Sequence, residues 1–181
     1  MTPTLFVPHT RRTVAALIAV LSLMAAPAFA AELNVDIEIP RLDVAEYHRP
    51  YLAVWIEKAD QTVAANLTVR YSPKKNNEGV KWLKDLRQWW RRSGRELEQA
   101  DLDGLAGATP AVGTLKLRFT PGKNPLAALP PGDYKLGVEA ARESGGRELI
   151  YVPFQWPVKQ ARKIPAKGEH ELGAISLELK P

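Results

Sequence analysis

The stretch YLAVWIEKADQTVAANLTVRY, residues 51–71, indicates the fold class of this chain. Its two runs, residues 51–57 and 63–71, are rich in β-branched and aromatic residues, and a short polar segment around Asp60 and Gln61 separates them. This pattern is typical of two antiparallel strands joined by a turn. The sequence therefore predicts a β-hairpin at its centre.

Outside the hairpin, apolar and polar residues alternate with period two in short segments bounded by Pro, Gly, Asn and Asp. Such segments are typical of strands with one buried face. They cover residues 33–39, 115–119, 134–140, 149–156 and 175–179. Together with the hairpin they make seven strands in a mainly β chain, and we predict an immunoglobulin-like antiparallel β-sandwich.

One segment, from residue 79 to about residue 98, has apolar residues at helical spacing instead. We predict a single inserted amphipathic α-helix here. Its apolar face comprises Trp82, Leu83, Leu86, Trp89 and Trp90. Its opposite face carries Lys81, Lys84, Asp85, Gln88, Arg91, Arg92 and Arg95. The helix either covers the sandwich with a solvated charged face or offers a docking surface for an acidic partner or a phosphate group, and the two interpretations are compatible.

The first thirty residues have the parts of a cleavable signal peptide in their usual order. The pair Arg11-Arg12 precedes an apolar run over residues 14–24, and the small-x-small sequence Ala-Phe-Ala follows at residues 28–30. We expect cleavage before Ala31 and a single mature domain over residues 31–181. The apolar run is shorter than the about 20 residues of a membrane-spanning helix, so we expect no anchor in the mature protein.

The composition excludes several classes of function. The chain has no cysteine, which excludes disulfides, thiolate metal sites, thiol catalysis and thioether haem attachment, and an exported protein without disulfides points to a bacterial periplasm. Loss of Arg11 and Arg12 reduces the net charge from +5 to +3, too little to indicate nucleic-acid binding by an exported protein. His48 and His170 lack metal-site spacing, and no serine lies in a nucleophile elbow, so we expect neither a metal site nor a stand-alone enzyme.

The loop after the predicted helix, Asp-Gly-Leu-Ala-Gly-Ala-Thr-Pro at residues 103–110, carries the most specific signal. It resembles the sequence at which FAD:protein FMN transferases join FMN to a threonine of exported flavoproteins. The resemblance implies that Thr109 is the attachment residue. Ala106 departs from the pattern, which has Ser or Thr at this position. The alternative is a glycine-rich connection between a helix and a strand, without chemistry.

The residues around Thr109 suit an acceptor that must enter another enzyme's active site. Gly107 and Ala108 leave little bulk beside its hydroxyl. Pro110 favours an extended backbone at Thr109, which presents the side chain. Asp103 is close enough along the loop to help position the acceptor in the transferase.

A second resemblance covers most of the mature chain. The runs at residues 49–57, 82–90, 103–109 and 132–139, the last followed by Arg142-Glu143, look like the DUF2271 family of predicted periplasmic proteins. The resemblance implies a periplasmic role in electron transfer. It also implies two partners, an FAD:protein FMN transferase and a membrane reductase with a PepSY domain.

Neighbouring side chains acquire roles if Thr109 carries FMN. Trp89 or Trp90 would shield a face of the isoalloxazine ring, although core packing is the alternative for at least one of them. Arginines of the helix would neutralise the phosphodiester and stabilise anionic reduced flavin. They are Arg91, Arg92 and Arg95.

Two functions therefore stay open at the level of sequence. The first is a redox carrier with covalent FMN that works with a membrane reductase. The second is a flavin-free immunoglobulin-like module that docks a membrane partner through the basic helix and the edge at residues 49–55.

Overall fold

The computed structural model describes residues 32–72, 75–120, 126 and 129–181. The predicted signal peptide lies outside these ranges. No helix within them combines the length and the apolar character that crossing a membrane requires.

Nine strands are described within these ranges. They are β1 (Glu32–Ile39), β2 (Tyr51–Lys58), β3 (Val63–Arg70), β4 (Ala106–Gly107), β5 (Gly113–Phe119), β6 (Gly132–Ala141), β7 (Arg147–Trp156), β8 (Arg162–Lys167) and β9 (Ala174–Lys180). A four-stranded sheet has the order β5-β1-β9-β8, and a five-stranded sheet has the order β4-β3-β2-β6-β7. All of these pairs are antiparallel except β3 with β4.

The seven predicted strands are confirmed, and so is the central hairpin of β2 and β3. At its turn Gln61 has a φ of 70°, and the Asp60 carboxylate accepts hydrogen bonds from both the backbone N–H and the hydroxyl of Thr62. Two strands were not predicted. β4 has only two residues, and β8 contains Pro165, which is tolerated at the edge that β8 forms.

The two sheets pack face to face around one apolar core. Alternation along each strand turns every second side chain inward. The central contributors are Leu33, Val35 and Ile37 of β1, Leu52, Val54 and Ile56 of β2, Leu136 and Val138 of β6, and Ile175, Leu177 and Leu179 of β9. The molecule is therefore mainly β, with two sheets in an arrangement consistent with a β-sandwich.

A second apolar cluster lies on the outer face of the five-stranded sheet. Residues 75–105, which we call the helical segment, cover this face. The cluster joins Ala53, Trp55 and Val69 of the sheet to Leu83, Leu86, Trp89 and Leu102 of the segment. Since β2 is covered on both faces, its apolar residues form a continuous run rather than an alternation.

The prediction of one continuous helix is wrong. The helical segment consists of a 3₁₀ helix (Lys75–Asp85), α1 (Arg87–Arg92), a second 3₁₀ helix (Gly94–Glu96) and α2 (Gln99–Leu105). Tertiary contacts divide it, because the Glu139 carboxylate binds the backbone N–H groups of Gln88 and Trp89 at the start of α1. Gly94 ends this turn, with the Trp89 ring directly over its Cα.

The predicted apolar and basic faces of the segment agree with the structure better than the prediction of one continuous helix does. Leu83, Leu86 and Trp89 are fully buried, whereas Trp82 and Trp90 are half-buried. On the opposite side four basic residues are exposed. They are Lys81, Lys84, Arg91 and Arg95.

Candidate functional site

The predicted attachment loop follows α2 at the edge of the five-stranded sheet. Its base is held by β4, which runs parallel to the end of β3. Tyr71 donates its backbone N–H to the carbonyl of Gly107 at 2.9 Å, and the Thr68 hydroxyl donates to the carbonyl of Leu105 at 3.0 Å. The chain therefore leaves the sheet immediately after Gly107, at a fixed position.

Beyond this base the loop is open to solvent. Ala108 is exposed, Thr109 is half-buried, and Pro110 is buried. Within the described part of the chain, no hydrogen bond engages the Thr109 hydroxyl. The buried Pro110 therefore fixes the far side of the loop, next to the half-buried Thr109.

Asp103 lies in the last turn of α2 and is exposed. Its Oδ1 accepts a hydrogen bond from Gln99 Nε2 at 2.7 Å, one helical turn earlier. Burial, and then the negative charge of Asp103, raise the pKa of Tyr71 above its ordinary value. Asp103 is thus placed near Tyr71 at the base of the loop.

A groove of about 420 Å³ opens beside the loop, between the edge strand β5 and the β3–β4 edge. We call it the edge groove. Its apolar lining comes from Leu67, Leu117 and Phe119, and residues 104–106 form one wall. Three cations also line it, namely Arg70, Lys116 and Arg118.

Arg70 is the cation closest to the loop. A Cβ atom added to Gly107 would lie 2.0 Å from Arg70 Nη1, so the guanidinium packs directly against Gly107 and would have to shift to admit a larger residue. Arg70 Nε is buried and has no hydrogen-bond partner among the described residues. Leaving such a donor unpaired costs about 1–3 kcal/mol, so an acceptor brought to this place would be bound favourably.

Sequence reasoning missed Arg70, because the parallel pairing of β3 with β4 that brings it to the loop leaves no local trace. Lys116 and Arg118 were detectable in principle. They alternate with Leu115, Leu117 and Phe119 on a predicted strand, which places the two cations on one face.

Trp89, which we predicted as a ring contact, lies beneath the helical segment and is fully buried. Its Nε1 donates to Asn66 Oδ1 at 2.9 Å, and its ring lies 6.4 Å from the Trp90 ring. Asn66 precedes Arg70 by four residues on β3, which is roughly 13 Å along the strand. The structure therefore does not bring Trp89 next to Thr109.

Arg91 and Arg92 line a different groove of about 660 Å³ at the β2–β3 turn, together with Arg95. We call it the arginine groove. Arg91 donates to Gln88 at 2.5 Å. Arg92 donates to Gln61. The structure groups these arginines with one another and separates them from the Thr109 loop.

A polar cluster adjoins the arginine groove. Glu57 is buried and accepts hydrogen bonds from Trp55 Nε1 at 3.2 Å and from the Tyr151 hydroxyl at 3.1 Å. Arg92 Nε lies 4.0 Å from its carboxylate. Burial first, and then the Glu57 charge, raise the pKa of Tyr151 to about 12. Tyr151 therefore remains a hydrogen-bond donor at neutral pH, which suits packing rather than proton transfer.

A metal site needs several His, Cys, Asp or Glu side chains close together in the described ranges. No group of three or more His, Cys, Asp or Glu side chains within them could hold a metal ion. His48 Nε2 lies 3.1 Å from the exposed Glu46 carboxylate.

Comparison with known proteins identifies the family. The profile of the family described as "Predicted periplasmic protein (DUF2271)" matches residues 32–174. No curated protein and no solved structure matches the chain. The family description confirms the periplasmic location that the N-terminal segment predicts. Because the match spans most of the chain, the protein belongs to the DUF2271 family of predicted periplasmic proteins.

Proposed function

We propose that this protein is a periplasmic electron-transfer protein that carries FMN covalently on Thr109 and works with a PepSY-type membrane reductase. One observation supports this most directly. The loop that resembles an FMN-attachment sequence leaves the sheet edge after Gly107 with its threonine hydroxyl unengaged within the described chain.

Attachment requires FAD as the donor and an FAD:protein FMN transferase as the partner. Thr109 Oγ attacks the flavin-side phosphorus of FAD, the pyrophosphate bond breaks, and AMP leaves. The hydroxyl proton passes to a base of the transferase. Exposed Ala108 and the small Gly107 allow the loop to enter that active site. Asp103 is held near the loop base and supplies a carboxylate for positioning.

The residues around the loop fit an FMN group. Arg70 Nε lacks an acceptor beside Gly107, and a phosphodiester is a strong acceptor for a guanidinium. When bound, FMN supplies one-electron and two-electron redox chemistry, while the protein orients it and tunes its electrostatics. For Trp89, full burial favours the core-packing alternative.

The proposal is tested by co-expressing the exported chain with an FAD:protein FMN transferase. We expect flavin fluorescence in a denaturing gel and the mass gain of an FMN group on the peptide containing Thr109. Thr109→Ala should abolish both signals, whereas the matched control Thr114→Ala, at an exposed position of β5, should keep them. Ala106→Ser restores the usual attachment sequence and should increase the labelled fraction. A folded, exported wild-type chain without an adduct would refute the proposal.

A second candidate is the flavin-free immunoglobulin-like module that docks a membrane partner through its basic surface. Four exposed cations on the predicted basic face of the helical segment favour it. They are Lys81, Lys84, Arg91 and Arg95. This function predicts binding to a PepSY-type membrane protein that weakens as salt is added and that Thr109→Ala leaves unchanged.

A further inference from the structure

We infer that the edge groove is the docking site of the FMN carried by Thr109, and that Arg70 and Lys116 bind its phosphodiester. The inference rests on the proposed function and deepens it. It assigns the phosphate contact to residues other than the arginines of the helical segment.

The first argument is the uncommitted charge of Arg70. Its Nε is buried without an acceptor among the described residues, although its guanidinium is packed against the Gly107 backbone. By contrast, Arg118 in the same groove is paired with Asp36 at 2.6 Å. A phosphodiester at the loop would supply the acceptor that Arg70 lacks.

Lys116 supplies a second cation in the groove. It is exposed on β5, and none of the ion pairs among the described residues includes it. Two uncommitted cations that line one groove favour an anion there, because each additional opposite charge strengthens the binding of a phosphate.

The lining of the groove suits a flat aromatic ring. The half-buried Phe119 provides its accessible apolar surface, with the nearly buried Leu67 and Leu117 beneath. The gap exists because β5 and β4 are edge strands of different sheets, so no strand closes the space between them. An isoalloxazine ring placed there would stack against Phe119 and keep its polar edge toward solvent.

The distance from Thr109 favours the edge groove over the arginine groove as the place where its FMN docks. Thr109 follows Gly107 by two residues, so their Cα atoms are separated by at most about 7 Å. Asn66, beside the arginine groove, lies roughly 13 Å from Arg70 along β3. A group bonded to Thr109 Oγ therefore meets Arg70 first.

The test compares flavinylated wild-type protein with flavinylated Arg70→Gln and Lys116→Gln. Loss of one charge-assisted hydrogen bond should shift the equilibrium between docked and undocked flavin by about tenfold. We therefore expect iodide to quench the flavin of Arg70→Gln more strongly, and the midpoint potential to fall because anionic reduced flavin loses a nearby cation. Arg70→Lys should restore much of the potential, and Lys116→Gln should shift it in the same direction as Arg70→Gln.

The matched control is Arg162→Gln, an exposed arginine on β8 at the edge of the four-stranded sheet opposite β5. It should leave quenching and potential unchanged. Unchanged values in folded, flavinylated Arg70→Gln and Lys116→Gln would overturn the docking inference and leave the proposed function standing. Absence of an adduct on wild-type Thr109 would overturn both. If Arg70→Gln fails to fold, Lys116→Gln decides the outcome alone.

Discussion

Glu139 shows how much one buried carboxylate organises in this protein. It is fully buried, and its Oε2 accepts the backbone N–H of Trp89 at 2.8 Å. Its Oε1 accepts the N–H of Gln88 at 3.0 Å and a hydrogen bond from Arg147 at 2.6 Å. A buried charge is tolerated only when it is paired and hydrogen-bonded in this way. Glu139 thereby attaches α1 to the five-stranded sheet.

Glu139→Gln should therefore lower the free energy of unfolding by about 2–3 kcal/mol, because an amide group replaces an acceptor oxygen and the pairing with Arg147 is lost. Urea unfolding at pH 7 measures this change. The control Glu96→Gln removes an exposed carboxylate that pairs with Arg95 at 3.5 Å, and we expect a change within about 0.5 kcal/mol. Equal effects of the two substitutions would contradict the role assigned to Glu139.

The helical segment shows at the level of an element why pattern and packing give different answers. The helical spacing of the apolar residues correctly predicted that Leu83, Leu86 and Trp89 are buried. The prediction of one continuous helix was wrong, because Ser93 and Gly94 interrupt the helical pattern. The hydrogen bonds to Glu139 determine where α1 starts. Short helices of this kind depend on tertiary packing for most of their stability.

Trp89→Ala should remove the main attachment of the segment and lower the free energy of unfolding by about 3–5 kcal/mol, the usual cost of emptying a large buried site. The loss includes the hydrogen bond from Nε1 to Asn66. Trp90→Ala on the same helix should cost clearly less, because Trp90 is half-buried. Chemical denaturation followed by far-ultraviolet circular dichroism measures both variants. A larger loss for Trp90→Ala would refute this assignment.

In the whole molecule, the two sheets are tied together at one end by polar contacts. Glu148 of β7 accepts four backbone N–H groups from residues 169–172, in the connection between β8 and β9. Arg142 and Glu171, both nearly buried, form an ion pair at 2.5 Å in the same region. These contacts link the five-stranded sheet to the four-stranded sheet outside the apolar core.

The pKa of Glu148 gives this link a pH dependence. Burial alone would raise its pKa, but the four backbone hydrogen bonds outweigh burial, and the pKa falls below the ordinary value of 4.5. A lowered carboxyl pKa stabilises the folded state above the unfolded pKa, and this contribution is lost as pH falls through the folded pKa. The link therefore contributes fully at neutral pH and weakens in acid below about 4.5.

Glu148→Gln should lower the melting temperature at pH 7, and the difference from wild type should shrink as pH falls below about 4.5. Thermal unfolding between neutral and acidic pH measures the convergence. The control Glu169→Gln changes an exposed carboxylate in the same connection and should leave the curve close to that of wild type. A difference that is constant across this range would contradict the linkage.

Local pattern was sufficient for seven of the nine described strands and for the buried face of the helical segment. Each depends on residues close together in sequence, because alternation and helical spacing act over a few positions. The attachment chemistry at Thr109 is a local prediction of the same kind, and it stays a prediction. The export signal is local in the same sense, and the family description agrees with it.

Pairing between residues distant in sequence determined the position of Arg70 and of the two grooves. The parallel contact of β4 with β3 places Arg70 over Gly107, and the edge groove opens beside residues 104–106 of the same loop. The same long-range packing separates the arginine groove from the loop, although Arg91 and Arg92 are closer to Thr109 in sequence than Arg70 is. Distance along a chain says little about distance in a sheet, since strands far apart in sequence become neighbours through hydrogen bonds that no local pattern encodes.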